Sequence, residues 1–247
     1  TGCSMLGDLE PEDGFEHEHE VADRLLAAFP GILIYWYKFS HDGVRIALDT
    51  DEECIGGHFL ALLHQKAPSE LERRVMHVSL ILYAEHEFNA STFAARVCAS
   101  TLSDMFSCVT AAIGTLRGPL HGGANEAVLR QLKAIRDSGK TVKEFVEDAK
   151  ANGHRISGLG HRVYKSYDPR AAIAKTYLQK IMERTDTLKL PADERALFDV
   201  ATELEQIALS DDYFVSRHLY PNVDFYTGLI YRAIGFDPSM FTTLFAL

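Results

Sequence analysis

Apolar residues in this chain recur at helical spacing, and that period limits the fold more than any other feature. Leu71, Val75, Val78 and Leu82 share one helical face, and Leu197, Val200, Leu204 and Ile207 repeat the pattern. Start and stop signals accompany the stripes. Thr141 and Glu144 form a capping box ahead of Val142, Phe145, Val146 and Ala149. Asp168-Pro169 reads as an N-cap followed by proline at the first helical position. Ile173, Tyr177 and Ile181 are the predicted buried stripe of the helix it starts. Asn125 is the predicted cap of a helix holding Val128, Leu132 and Ile135, which Gly139 ends. Residues 91 to 116 are apolar nearly all round, as a helix buried on most sides would be. One segment argues the other way. ILIYWYKF, then His41-Asp42-Gly43, then VRIAL has the local form of a β-hairpin with an Asp-Gly turn. The chain offers no sheet for it to join, and an isolated hairpin is marginal. A helix through Tyr35 to Lys38 followed by a turn fits better, and the predicted fold class is all-α.

The 247 residues are 47% hydrophobic and 24% charged, enough for one large core or two smaller ones. The net charge of −10 gives no electrostatic reason to bind nucleic acid or an anionic membrane. It is compatible with an anionic small molecule held in a local basic pocket. Cys3, Cys54, Cys98 and Cys108 lack metal-ligand spacing and read as reduced, packed thiols of a cytoplasmic protein. No apolar run reaches the roughly eighteen residues of a membrane span, and no signal peptide is recognisable. His17 and His19, two residues apart among acidic neighbours, do not share a helical face, and neither HExxH nor paired CxxC occurs, so no metal is expected. The chain opens at TGCSMLGD and stops at the uncapped apolar run MFTTLFAL, so both ends are expected to be cut.

Glycines cluster at 114–123 and 153–160, and the chain between and after them is more charged. The predicted organisation is a truncated large domain over 1–121, a compact helical domain over 122–235, and a return to the first domain over 236–247. Four polar clusters sit in or beside apolar helices: His86 to Thr92, Pro119 to Glu126, Gly158 to Arg170, and Pro221 to Tyr226. Each has a purely structural reading as a cap or a turn. Together they place three histidines, one aspartate and two arginines at helix boundaries flanked by Gly or Pro. Backbone amides are free there and ligands approach.

In chain order, HEFNAS, GPLHGGANE, GLGHRVYKSYDPRA and LYPNVDFYTG resemble the four signature segments of the citrate synthase family, in which the 2-methylcitrate synthases are a sister group. The resemblance implies an all-α homodimer whose subunits each have a large and a small helical domain that close over the substrates. It implies an acyltransferase that condenses acetyl-CoA with oxaloacetate, with no cofactor, since acetyl-CoA is a substrate. His121 resembles the histidine that holds the thioester oxygen, Asp224 the base that takes the methyl proton, and His86 the histidine on the oxaloacetate carbonyl. His161 and Arg170 resemble residues that bind oxaloacetate, Ser91 the serine that orients the catalytic imidazole, and Asn89 and Asn222 join the substrate-binding set. Gly158, Leu159, Gly160, Arg162 and Lys165 belong to a loop resembling the one along CoA, with Lys165 at a phosphate.

The chemistry explains why such residues are needed. A thioester α-carbon is far less acidic than a carboxylic acid, so Asp224 needs help from a donor that stabilises the enolate oxygen. A neutral imidazole supplies it, and the helix beginning at Asn125 and Glu126 is the expected source of its neutrality. Gly122 and Gly123 are expected to clear space for the thioester. Oxaloacetate becomes more electrophilic as His86 donates to its ketone, and Arg170 offsets its charge. The family's remaining substrate arginines lie beyond FTTLFAL, so the 247 residues alone are expected to turn over poorly. HEFNASTF and TGCSMLG lean toward the methylcitrate group, GHRVYKSYDPRA and PNVDFYTG toward citrate. Propanoyl-CoA use, a non-catalytic CoA-binding relative and a purely structural helical domain are the alternatives.

Overall fold

The computed structural model describes residues 1–10, 12, 14, 16–85, 87–164, 166–183 and 192–247. Helices dominate the described residues, as the periodicity predicts. The chain divides into two compact units: Thr1–Gly122 with Thr242–Leu247, and Gly123–Phe241.

The first unit holds α1 (Gly2–Leu9), α2 (Glu18–Tyr37), α3 (Ile55–His64), α4 (Glu70–Tyr83), α5 (Ala90–Ala99) and α6 (Met105–Leu116). Val21, Leu25 and Phe29, at helical spacing on α2, pack with Cys3 and Phe106 into one core, which Leu6, Ile113 and Leu247 extend. Ile34, Phe59, Leu60, Leu62 and Met76 are also fully buried. The segment with hairpin character is helical. α2 runs on through a π-turn over Lys38–Asp42, and Gly43 at φ 68° closes it. The Asp-Gly pair thus supplies a left-handed helix terminus, a conformation glycine provides as readily as it provides a hairpin turn. α4 starts on a capping box of Ser69 and Glu72 and buries Val75 and Met76, with Val78 and Leu82 half-buried.

The single buried helix expected over 91–116 is instead two. α5 ends at Ala99, where the hydroxyls of Ser100 and Thr101 donate to the Val97 and Cys98 carbonyls. Asp104 then caps α6, accepting the Ser107 N–H at 2.8 Å. α5 buries none of its residues, and Phe93 and Val97 are 61% and 52% exposed. Hydrophobic content reports that a segment is apolar; it does not report where polar side chains intercept the backbone.

The second unit holds α7 (Ala124–Asp137), α8 (Val142–Ala151), α9 (Pro169–Glu183), α10 (Ala192–Ser210), α11 (Asp212–Val215), α12 (Val223–Ala233) and a 3₁₀ turn at Pro238–Met240. A last short helix, α13 (Phe241–Leu244), carries the chain back into the first unit. Val128, Leu129, Leu132 and Ile135 on α7, and Phe225, Tyr226, Leu229 and Tyr231 on α12, form much of the second core. The Thr141–Glu144 capping box forms as predicted, and Gly139 follows α7 at φ 71°. Leu197 and Leu204 are buried on α10, with Val200 and Ile207 half-buried.

Two expectations are corrected. Asn125 does not cap α7; Gly123 occupies that position, and Asn125 lies inside the helix, fully buried, donating to Thr227 Oγ1 on α12 at 3.0 Å. On α9 the buried face carries Ala171, Ala174 and Ile181, while Ile173 is 45% exposed. Two alanines on the face of α9 that meets α12 allow close helix approach, which a stripe of large residues would prevent.

Candidate functional site

The sequence-predicted residues fall into two groups, one within each unit. His86 and Lys165 lie outside the described residues.

In the first unit, Asn89 is the N-cap of α5, its Oδ1 accepting the Thr92 N–H at 3.0 Å. The same oxygen accepts the Ser91 hydroxyl at 2.7 Å. Ser91 is the second residue of α5, and its backbone N–H is one of those a helix start leaves without an intrahelical acceptor. It donates to His121 Nε2 at 3.2 Å, and Ser91 Oγ lies 2.9 Å from the same nitrogen. His121 itself is half-buried in the turn after α6, its N–H bonded to Gly118 O at 3.0 Å. The helix N-terminus that donates to this imidazole is that of α5, thirty positions earlier. The sequence points instead to the helix after the histidine, because a donor that distant leaves no local pattern.

Gly122 answers to the chain's own packing. A Cβ there would stand 2.6 Å from Leu116 O and 2.6 Å from Thr242 Cγ2, whose hydroxyl donates to Gly122 O at 2.9 Å. The expectation that this glycine clears room for a ligand is unnecessary to explain it.

In the second unit, the 158–160 loop is tied to the start of α12. Leu159 is buried and forms an isolated β-bridge with Pro221. Gly160 N–H donates to Tyr220 O at 2.7 Å, and Asn222 N–H to Gly158 O at 2.9 Å. Gly158 and Gly160 hold φ of 83° and 80°. Asn222, not Asp224, caps α12: its Oδ1 accepts the N–H groups of Asp224 and Phe225 at 3.0 and 3.3 Å, and its Nδ2 donates to Gly160 O at 2.9 Å. Asp224 is half-buried in the first turn.

His161 and Arg170 come together. His161 Nδ1 accepts the N–H groups of Val163 and Tyr164, each at 3.1 Å, which leaves Nε2 as the ring nitrogen facing Arg170. That nitrogen lies 3.2 Å from Arg170 Nη2, itself always a donor. The contact joins the imidazole to a guanidinium that is always charged. The Tyr164 ring packs against His161 at a tilt of 33°, with ring centroids 4.5 Å apart, and lies under the Arg170 guanidinium at 5.7 Å. Arg162 is exposed in the bend that follows His161.

Sequence reasoning treated Asp168 only as a cap, and here it missed further partners. The carboxylate also receives Arg170 Nε and Nη2, at 3.1 and 3.0 Å, and the Val223 N–H at 3.1 Å. Burial opposes its ionisation, yet the Arg170 guanidinium and the backbone N–H groups outweigh that and hold its carboxyl below the usual range. The Asp-Pro-Arg spacing was the available signal. A second network was not legible at all: Tyr226 donates to Glu205, which also receives Lys175 Nζ at 2.7 Å, and Tyr167 Oη lies 3.2 Å from Tyr226 Oη.

Among the described residues no group of His, Cys, Asp or Glu is arranged to hold a metal ion, and no helix is long and apolar enough to cross a membrane.

Each unit of this helical chain thus holds an imidazole fixed by backbone N–H groups, and the one in the second unit lies beside a guanidinium. A family model described as citrate synthase, C-terminal domain, matches residues 1–247, and the chain belongs to the citrate synthase family. It is 50% identical over 245 residues to the 2-methylcitrate synthase of Shewanella oneidensis, covering 99% of this chain and 62% of that protein. It is 45% identical over 248 residues to citrate synthase 1 of Mycobacterium tuberculosis, covering 97% of this chain and 55% of that protein. Among solved structures, the citrate synthase of Thermoplasma acidophilum, in ternary complex with carboxymethyl coenzyme A and oxaloacetate, superposes with a TM-score of 0.85 at 33% identity. The match covers 99% of this chain and 63% of that one. The chain therefore spans under two thirds of the length of these relatives.

Proposed function

We propose that this chain carries the condensing chemistry of a citrate synthase: an acyl-CoA enolises, adds to the ketone of oxaloacetate, and the resulting thioester is hydrolysed. The observation that carries the reading is the His161–Arg170 pair, an imidazole and a permanently charged guanidinium in hydrogen-bond contact at 3.2 Å, a combination that suits a carboxylate of a dicarboxylate. In this reading Asp224 takes the α-proton, and His121 donates to the thioester oxygen as charge develops. His86 donates to the ketone oxygen. Asn89 and Ser91 fix the His121 ring, and Asn222 fixes the first turn beneath Asp224. Gly158, Leu159, Gly160, Arg162 and Lys165 form the loop assigned to CoA. The reaction needs no cofactor and no metal. A cytoplasmic homodimer is part of the same reading, with exposed Phe93 and Val97 of α5 assigned to contact with a second copy; sedimentation velocity reads it.

Acetyl-CoA is the proposed acyl donor. Propanoyl-CoA is the second reading, favoured by the likeness to the Shewanella protein. One methylene is worth only about 1–3 kcal/mol in a hydrophobic pocket. Comparing kcat/KM for the two thioesters decides between them: a ratio above about tenfold names the substrate. Asp224→Asn is expected to leave oxaloacetate affinity within about twofold and to cut kcat by about a thousandfold. An unchanged kcat would remove Asp224 as the base.

A further inference from the structure

Asp168 is buried to 2% exposure, yet it is not spent on a single partner. One oxygen, Oδ1, accepts the Arg170 N–H at 3.0 Å and Arg170 Nε at 3.1 Å. The other, Oδ2, accepts Arg170 Nη2 at 3.0 Å and the Val223 N–H at 3.1 Å. Val223 is the first residue of α12 and Asp224 the second. The two N–H groups that follow are taken by Asn222. All three early N–H groups of α12 are therefore satisfied by two side chains, and the one on Val223 is bonded to the same carboxylate that grips the guanidinium.

We infer that Asp168 is a positioning residue that sets the Arg170 guanidinium and the start of α12 from one carboxylate, so that the anion-binding cation and the turn carrying Asp224 are placed together. The inference rests on the function proposed above. It also refines the part played by Arg170. With Asp168 against it, the guanidinium offers direction more than net positive charge, and Nη2 is held where it meets His161 Nε2. An amide at position 168 cannot do the same. Asn presents one acceptor oxygen and one NH₂ group, and whichever way it is turned the NH₂ faces either Val223 N–H with Arg170 Nη2 or Arg170 Nε with its own backbone N–H.

The test compares Asp168→Asn, Arg170→Gln and the double variant with a stability control, Thr227→Val. That control removes the buried Thr227 hydroxyl, which accepts from Asn125 of α7 and donates to Val223 O, while leaving the Asp168 carboxylate and its Val223 N–H partner in place. Asp168→Asn is expected to raise KM for oxaloacetate about tenfold, through Arg170. It is expected to lower kcat about a hundredfold, through the displaced start of α12. The double variant should fall about tenfold below Arg170→Gln in kcat, because the link to α12 survives loss of the arginine. If it matches Arg170→Gln, or if Asp168→Asn lowers thermal stability like Thr227→Val with KM and kcat unchanged, the inference is wrong. Amide hydrogen exchange reads the same coupling without turnover. In Asp168→Asn the N–H groups of residues 223 and 224 should exchange at least about tenfold faster, with the second half of α12 unaffected. The kinetic comparison is made in the full-length protein, and absence of condensation by its wild type would end the proposed function only. Unaltered exchange at 223 and 224 would end the positioning role whatever the turnover.

Discussion

Tyr226 shows how much a single side chain can commit. Burial, and then its hydrogen bond to Glu205, push the phenol far above its ordinary value. The folded state keeps that proton while the unfolded phenol releases it near pH 10. Above that pH the unfolded chain binds fewer protons than the native one, so stability falls as pH rises, by up to about 1.4 kcal/mol per pH unit from this group. Below it the contribution is complete. Tyr226→Phe is expected to cost about 1–2 kcal/mol near neutral pH, from the lost hydrogen bonds. Its disadvantage against the wild type should shrink between pH 10 and 11, since the variant lacks the titrating group. Urea unfolding across that range checks the sign; a gap that widens with pH would contradict it. Asp168 works in the opposite direction, with a lowered carboxyl whose contribution is full at neutral pH and is lost only on acidification below the ordinary aspartate value. The two groups therefore bracket a neutral window in which both networks are intact.

At the scale of elements, the loop from Gly158 to Gly160 and the start of α12 behave as one piece, because backbone and Asn222 hydrogen bonds join them. Gly158 has two separate reasons to be glycine. Its φ is 83°, and a Cβ would lie 2.9 Å from Val128 Cγ2 and 3.1 Å from Phe225 Cδ2. Gly153 has only the first reason, with φ 64° and nothing within 4 Å of a Cβ. Gly153→Ala should cost about 1–2 kcal/mol, the left-handed penalty alone. Gly158→Ala should cost about 1–3 kcal/mol more, because it also overpacks the α7–α12 core. Equal losses in denaturant unfolding would show that the packing at Gly158 relaxes freely. The glycines at 158 and 160 thus serve a loop that is hydrogen-bonded to a helix start. The opposite lesson comes from α5 and α6. Apolar composition joins them into one helix, and Asp104, a strong cap three residues before Ser107, divides them.

For the whole molecule, the proposed dicarboxylate site predicts a linkage effect. A ligand that binds only the folded chain adds about 2.7 kcal/mol at a concentration one hundred times its Kd. For a chain of this size that corresponds to a rise in Tm of about 5–10 °C. Oxaloacetate is expected to produce it, and Arg170→Gln to remove most of it; a thermal melt that ignores oxaloacetate would argue for a structural helical protein. Much of this architecture was legible before any coordinates. Helical period, the Thr141 capping box, the Asp168-Pro169 start and the order of the glycine-flanked histidines are properties of residues within a few positions of one another. The sequence by itself therefore determined that the chain is helical, where two of its helices begin, and which polar side chains stand near helix ends. It did not determine what those side chains do. His121 Nε2 meets a backbone N–H from α5, and Asp168 accepts the N–H of a residue 55 positions away. Only tertiary structure decided them, because a hydrogen bond is specified by distance and direction in space, and neither is written into the spacing along the chain.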